Sequence, residues 1–411
     1  MNIWIFNHYA VGPNSSGGTR HFDLAKQLVK NGHRVTIFAS SYNHQTLEEE
    51  QFKEENDFFK EKEYDGVKFI WIKTIAYKKN DYKRVLNMLG YTRKSLKIGK
   101  QHRERPDIVI GSLVHPLAAY VGYKISRHYK SVFYFEERDL WPQTLLDLGK
   151  YSEYNPLIIL MAKVEKFLFK KADKVIVLFD KAVKYVETKG IPKEKILYIP
   201  NGYDIKRTSN GIEVSEEINN LFQRLEGQII GIYTGAHGIA NNLDVILDSA
   251  KVLQDRDVPV SFILIGNGTE KERLVARARD EKIENIYFIS SVPKEMIPSI
   301  LKKANVGLLP LADSPVFKWG ISPNKLFDYM GSELPVLLLC DLDGTPVELA
   351  DGGKVIRRNF VDGTVNFFSE IDADNLKKLG ANGKKYVEEN HSWNILASIL
   401  EQQMIEDLNN K

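Results

Sequence analysis

Short apolar runs recur along the chain. Each is followed by a polar or glycine-bearing loop, then by a stretch with apolar residues three and four apart. Ile3-Trp4-Ile5-Phe6 reads as a buried strand, and the loop over residues 11–19 carries Gly12, Gly17 and Gly18. Phe22, Leu24, Ala25, Leu28 and Val29 then mark one face of a helix, which Gly32 ends before the strand Val35-Thr36-Ile37-Phe38. The same order returns in the second half. Ile229-Ile230-Gly231-Ile232-Tyr233 leads into Gly235-Ala236-His237-Gly238, a helix from about 242 to 253, and the strand Val260 to Ile265 before Gly266-Asn267-Gly268. Further apolar runs predict strands at residues 108–110, 132–135, 175–178, 286–289 and 306–309, with helical segments between them.

Strand, glycine loop, helix, strand is the opening of a doubly wound α/β fold. Meeting it twice predicts two Rossmann-like domains facing across a cleft, and 411 residues exceed one ordinary core. The Pro/Asn/Gly turn at Ile199-Pro200-Asn201-Gly202-Tyr203 sets the expected boundary, giving domains over 1–198 and 199–385. The polar region 45–65 reads as a surface loop or helix.

Net charge sharpens the division. Residues 1–200 hold 34 Lys+Arg against 23 Asp+Glu, a net of +11, and residues 201–411 hold 23 against 31, a net of −8. Residues 77–105 alone contain ten Lys/Arg and two acids, with apolar residues among them, a pattern suited to an anionic bilayer. A solvated helix face is the alternative, and no nucleic-acid-binding module accompanies the charge. Residues 156–171 form a second amphipathic basic stretch, although packing on the sheet would also account for its apolar face. The single cysteine, Cys340, suits a reducing cytoplasm, and no apolar run reaches the length of a membrane span. MNIWIFNHY lacks the form of a signal peptide.

The densest chemistry lies at Ser322 to Val336. Ser322 is the expected N-cap, Pro323 the first helical residue, Gly331 the stop, and residues 335–339 a buried strand. A helix start offers free N–H groups to an anion, and Lys325 adds a charge one turn in. Asp328, at i+3 from Lys325, places a carboxylate on the same face, which fits a nucleotide diphosphate with its ribose diol; a plain capped helix fits as well. Glu136, Glu137, Arg138 and Asp139 directly follow a very apolar strand, where doubly wound folds build sites; an internal ion-pair network is the alternative. Asp341-Leu342-Asp343 has a metal-binding spacing but reads as a polar turn, as does Asp372-Ala373-Asp374, so no metal site is expected. His44, His115 and His237 follow strands without zinc spacing.

In order, these residues resemble family 4 glycosyltransferases of the GT-B fold, over nearly the whole chain. The carriers are Gly17-Gly18-Thr19-Arg20-His21, Gly32-His33-Arg34, residues 40–44, residues 77–80 with 84–87, Arg138-Asp139-Leu140-Trp141-Pro142, Pro200-Asn201-Gly202, Gly266-Asn267-Gly268, residues 323–330 and His391-Ser392-Trp393. The resemblance is strongest to the branch that builds O-antigen and capsule units, including N-acetylfucosamine transferases. It implies retaining transfer of a hexosamine-type sugar from a UDP-sugar to a polyprenyl-diphosphate-linked saccharide, without metal or other cofactor, by an enzyme peripheral on the cytoplasmic face of the cell membrane. A closing helix over 386–411 is expected to return to the first domain.

On that resemblance Gly18, Gly235, His237, Ser291, Val292, Ser322, Asn324, Lys325 and Asp328 are expected at the donor. Arg20, His44, Arg84, His115 and Glu136 are expected at the acceptor, and Asp139, Arg138 and Lys325 in catalysis. Three departures stand out: Gly320 replaces the first of the family's paired acids, residues 236–243 lack the usual Arg and Lys, and Arg138-Asp139 replaces His-Asp. A UDP-sugar epimerase of the same fold and a non-catalytic nucleotide-binding protein remain open, with a dehydrogenase further off.

Overall fold

A computed structural model describes residues 1–13, 15, 17–52, 57–79, 81–149, 151–205 and 213–411. Asn80, residues 53–56 of the polar region and much of the polar stretch after the expected boundary lie outside the described residues. The chain divides into two compact units. The first comprises Met1–Asn201, Pro315–Ile321 and Trp393–Lys411; the second comprises Gly202–Ser314 and Ser322–Ser392.

The first unit is built on an eight-stranded sheet. Its spatial order is Ile196–Tyr198, Lys174–Val177, Val132–Glu137, Ile108–Leu113, Asn2–Phe6, Arg34–Ser40, Val67–Ile72 and Phe59–Tyr64. All neighbours pair in parallel except the last two. Parallel strands are covered on both faces, which is why Asn2–Phe6 and Val132–Glu137 are buried along their whole length. The edge pair is a hairpin turned by Asp65 and Gly66, both at positive φ (50° and 80°), as a two-residue turn matched to strand twist requires. Part of the region expected as surface loop or helix is therefore strand. Its Phe59–Tyr64 half alternates Lys and Glu, a solvated edge rather than a core strand. The helix Trp393–Asn409 packs on the helix Arg20–Lys30, burying Trp393, Leu396, Leu400 and Met404.

The second unit carries six parallel strands in the order Ile286–Ile289, Val260–Ile265, Ile229–Thr234, Val306–Pro310, Val336–Leu339 and Gly353–Ile356. This is the doubly wound order in which the chain reverses direction beside its first strand. The reversal lies between Ile229–Thr234 and Val306–Pro310, and loops leaving the carboxyl ends of those two strands border a crevice. The corresponding reversal in the first unit lies between Asn2–Phe6 and Ile108–Leu113.

Candidate functional site

In the second unit, the Gly235 loop leaves the strand Ile229–Thr234 at the reversal point. Gly235 has φ +145°, and a Cβ there would meet Lys325 Nζ at 2.6 Å. The Gly266-Asn267-Gly268 turn lies against it, because a Cβ on Gly266 would stand 1.9 Å from the Gly235 carbonyl. The amides of Gly235 and His237 are already engaged, donating to the carbonyls of Ile265 and Asn267. Those two amides are therefore not available to a ligand, and the room that Gly235 leaves is filled by a cation.

That cation is Lys325. Its Nζ donates to Tyr233 Oη at 2.7 Å and lies 3.9 Å from the centre of the Tyr233 ring; Tyr233 Oη in turn donates to the Ala236 carbonyl at 2.7 Å. Burial brings its ammonium down to about 7. His237 is fully buried beside it, with neither ring nitrogen hydrogen-bonded among the described residues, and burial, then Lys271 and Lys325, lowers it to about 4.

The helix that projects Lys325 runs Asn324–Gly331, with Pro323 extended at the N-cap position. Ser322 is thus one residue outside the cap expected of it. Proline at the cap has no side-chain acceptor to offer, and among the described residues no cap hydrogen bond reaches the first-turn N–H groups at Asn324 and Lys325. Gly331 is not the stop either: it is the last helical residue, and the positive φ falls on Glu333. Gly331 is needed for packing, since a Cβ would meet the Tyr203 ring at 2.5 Å, and Tyr203 Oη donates to its carbonyl at 3.0 Å. Asp328 is half-buried and lines a cavity of about 30 Å³ with Tyr203, Lys294 and Ser332. Lys294 belongs to the segment that follows Ser291 and Val292. Ser291 Oγ accepts from Asn267 Nδ2 at 2.9 Å. Lys271 ties these loops together, donating to the carbonyls of Gly266 and Ile289 at 2.9 and 3.1 Å.

In the first unit, residues at the carboxyl edge form two groups. One is an internal ion cluster. Arg20 Nε donates to Glu136 Oε1 at 2.9 Å, its NH groups donate to the carbonyls of Ile199 and Pro200, and His21 Nε2 lies 2.6 Å from Glu136 Oε2. Arg20 and Glu136 are both 2% exposed. Expected at the acceptor, they instead bind each other and the backbone, leaving no open face. Burial pushes the Glu136 carboxyl up, but His21 and Arg20 overcome it and hold the group well below its usual range.

The other group is a stack of four rings, Tyr91, His8, Tyr9 and His44, with centroids 4.4, 4.5 and 4.6 Å apart and planes within 22°. His8 Nδ1 and His115 Nε2 are 2.6 Å apart, Arg84 Nε donates to Tyr9 Oη at 3.4 Å, and His44 Nδ1 is hydrogen-bonded to Tyr77 Oη. Burial, then Arg84, lowers His44 and brings His115 to about 3, so both rings are neutral near pH 7. Gly18 lines a pocket of about 60 Å³ with Tyr9, Ser41 and His44, so this residue, expected at the donor, shares a pocket with one expected at the acceptor. His44, Arg84 and His115 are brought together; Arg20 and Glu136 are not among them. Asp139 is exposed at the end of Val132–Glu137, and Arg138 is half-buried with its Nε unpartnered among the described residues.

His8, Tyr9, Tyr233 and Lys271 were not among the expected site residues. The signal for His8 and Tyr9 was polar chemistry directly after an apolar strand, the rule that drew notice to Glu136. Among the described residues no His/Cys/Asp/Glu group is placed to hold a metal, and Asp343 pairs with Arg357.

Comparison with known proteins agrees with this architecture. Residues 16–207 match the family described as Glycosyltransferase Family 4, and residues 228–365 match Glycosyl transferases group 1. The chain is similar to the putative colanic acid biosynthesis glycosyl transferase WcaI of Escherichia coli, 22% identical over 295 residues, covering 70% of this chain and 71% of that one. Among solved structures, sucrose-phosphate synthase from Thermosynechococcus elongatus superposes with TM-score 0.73 at 16% identity, with full coverage of both chains. Anabaena Alr3699/HepE in complex with UDP-glucose superposes with TM-score 0.66 at 13% identity, again with full coverage of both.

Proposed function

We propose, from the premise that this chain is a glycosyltransferase of GT-B-like build, with a family 4 domain followed by a group 1 domain, that it moves a hexosamine-type sugar from a UDP-sugar to a polyprenyl-diphosphate-linked saccharide. The second unit holds the donor and the first unit the acceptor. The observation that carries the donor half is the convergence of Lys325 on the Gly235 loop at the reversal point of the second sheet. The chain lacks the Arg and Lys its relatives carry after this loop, and Lys325 supplies a cation there from a different element.

The donor diphosphate takes its charge partners from Lys325 and the first-turn N–H groups of Asn324–Gly331. As the bond to the anomeric carbon breaks, negative charge grows on the leaving phosphate, and groups fixed in advance stabilise it without reorganising. The acceptor hydroxyl bonds to the anomeric carbon on the face that UDP leaves and its proton passes to a phosphate oxygen of the departing UDP, so configuration is retained; Lys325 and the helix N–H groups carry the charge compensation that a metal would otherwise supply. Asp328 accepts from the ribose diol, and Ser291 and Val292 receive the base. In the first unit, His44 and Arg84 contact the acceptor, and the basic residues over 77–105 face an anionic, cytoplasmic membrane surface. A role in capsule or O-antigen synthesis follows from the same reading.

A thermal-shift panel of UDP-, GDP-, ADP- and dTDP-sugars tests the donor half, because a ligand that binds only the native state raises the melting temperature by mass action. UDP-sugars are expected to shift the wild type clearly more than Lys325→Ala. Equal shifts in both proteins would refute the assignment.

A further inference from the structure

Of the twenty large apolar side chains most exposed among the described residues, eleven fall in two short stretches of the first unit, 75–89 and 148–160. Both stretches begin at the same edge. Val67–Ile72 and Val132–Glu137 run parallel within one sheet, so the segments that leave them start at its carboxyl edge. The helices Tyr82–Gln101 and Pro156–Lys171 then run back along one layer, each packed on Pro116–Tyr129 between them.

The two helices expose the same sequence of chemistry. Along Tyr82–Gln101 the outward positions are Tyr82, Val85, Leu86 and Leu89, spaced i, i+3, i+4 and i+7; beyond them come Arg93, Lys97 and Lys100. Along Pro156–Lys171 they are Leu157, Ile159 and Leu160, then Lys163, Lys166 and Lys170. The inward faces hold the packing residues, Tyr91 and Ile98 on one helix and Leu168 and Phe169 on the other. The outward apolar residues are therefore not needed for the fold. Acids are scarce: Asp81 and Glu153 are the only exposed ones over 75–97 and 148–166 among the described residues.

From Leu89 to Arg93, or from Leu160 to Lys163, is a rise of about 5 Å along the helix. That is the scale of the step from the acyl boundary to the phosphates of a bilayer, and Lys and Arg reach phosphate while their stems stay apolar. We infer that this edge is an insertion surface for anionic lipid, with the first turns of both helices entering the acyl boundary and the cations behind them lying at phosphate depth. The inference rests on the lipid-linked acceptor of the proposed function and adds apolar insertion to the expected electrostatic attraction.

Flotation of the full chain with vesicles of phosphatidylglycerol and phosphatidylcholine in equal parts tests it. Charge contacts are screened by salt and apolar insertion is not. The wild type is expected to float at low salt and to retain a substantial bound fraction at high salt. Leu157→Ser/Leu160→Ser and Leu86→Ser/Leu89→Ser are each expected to lower the high-salt partition coefficient about tenfold or more, while melting temperature and the UDP-sugar shift stay at wild-type values. Lys163→Ala/Lys166→Ala should instead lose binding at low salt. Flotation of the serine variants equal to wild type at high salt would overturn the inference, as would wild-type binding that salt abolishes, or self-association through these residues without vesicle binding. Flotation as expected with no transfer to any lipid-linked acceptor would refute the proposed function and leave the insertion edge standing.

Discussion

Lys325 and Tyr233 hold each other in two ways: the ammonium donates to the phenol oxygen at 2.7 Å and stands 3.9 Å from the ring centre. A half-buried cation with one neutral hydrogen-bond partner is poised for an anion, because no carboxylate among the described residues forms an ion pair with it. Lys325→Ala is expected to weaken UDP-sugar binding roughly ten- to a hundredfold, the range for a charged hydrogen bond. Tyr233→Phe keeps the ring but removes the oxygen that accepts from Lys325 and donates to the Ala236 carbonyl, and should cost only a few-fold. Isothermal titration with a UDP-sugar checks both; an equal loss in the two variants would contradict the assigned order of importance.

The same lysine predicts a pH dependence. Its ordinary value near 10.4 is lowered to about 7 by burial, so in the free protein it is charged below that pH and neutral above it. A diphosphate restores the charge, so donor binding above about pH 7 takes up a proton. Affinity for a UDP-sugar, whose diphosphate does not titrate here, should fall as pH rises through about 7 and 8, and Lys325→Ala should flatten the profile. Titration in buffers of different ionisation enthalpy would reveal the proton. A flat wild-type profile would show that Lys325 does not meet the diphosphate.

Much of this arrangement was legible in the sequence because parallel strands write themselves as continuous apolar runs. Ile229 to Tyr233 and Val260 to Ile265 could be placed almost to the residue, and Lys325 could be assigned to a helix start from Ser322-Pro323 alone. What periodicity could not give was the partner of each group. Arg20 and Glu136 lie 116 residues apart, and only the adjacency of Asn2–Phe6, Ile108–Leu113 and Val132–Glu137 makes them meet. The Phe59–Tyr64 strand was missed for another reason. It is a solvated edge, so its charges alternate without an apolar face to betray it. Gly331 had the right residue type for a stop and a different reason for being glycine, a tyrosine ring on its Cα.

The Arg20–Glu136–His21 cluster gives a stability prediction. Removing one partner of a buried pair leaves the other charge uncompensated, at a cost of about 3–5 kcal/mol. Glu136→Gln is therefore expected to lower the melting temperature by about 10 °C, and the double variant with Arg20→Met by less than the sum of the single changes. The carboxyl is held below its usual range in the folded protein, so its contribution is present above the ordinary carboxylate value and is lost as pH falls through the depressed one. Wild type and variant should thus converge in melting temperature at acid pH. A constant gap, followed by calorimetry across the acid range, would mean that the glutamate acts by packing rather than by charge.

On the family resemblance Gly320 takes the place expected for the first acid of a pair, and the backbone explains why an acid cannot simply be put back. The residue has φ +101°, a region that side chains strain to enter, and a Cβ would meet Asp180 Oδ1 at 2.4 Å and Phe179 Cβ at 3.2 Å. The segment Pro315–Ile321 is held in the first unit just ahead of this point, by Lys318 against Asp147 at 3.0 Å and by Trp319 edge-on to Tyr185 at 5.2 Å. Gly320→Glu would add like charge beside Asp180 as well as strain, so it should destabilise by about 1–3 kcal/mol and give no gain in transfer. Gly320→Ala isolates the backbone part and should cost less. Melting temperatures of the two variants, read beside their transfer rates, decide the matter. A stable Gly320→Glu protein with raised activity would show that the segment can leave its contacts and that the missing acid is a loss this enzyme could recover.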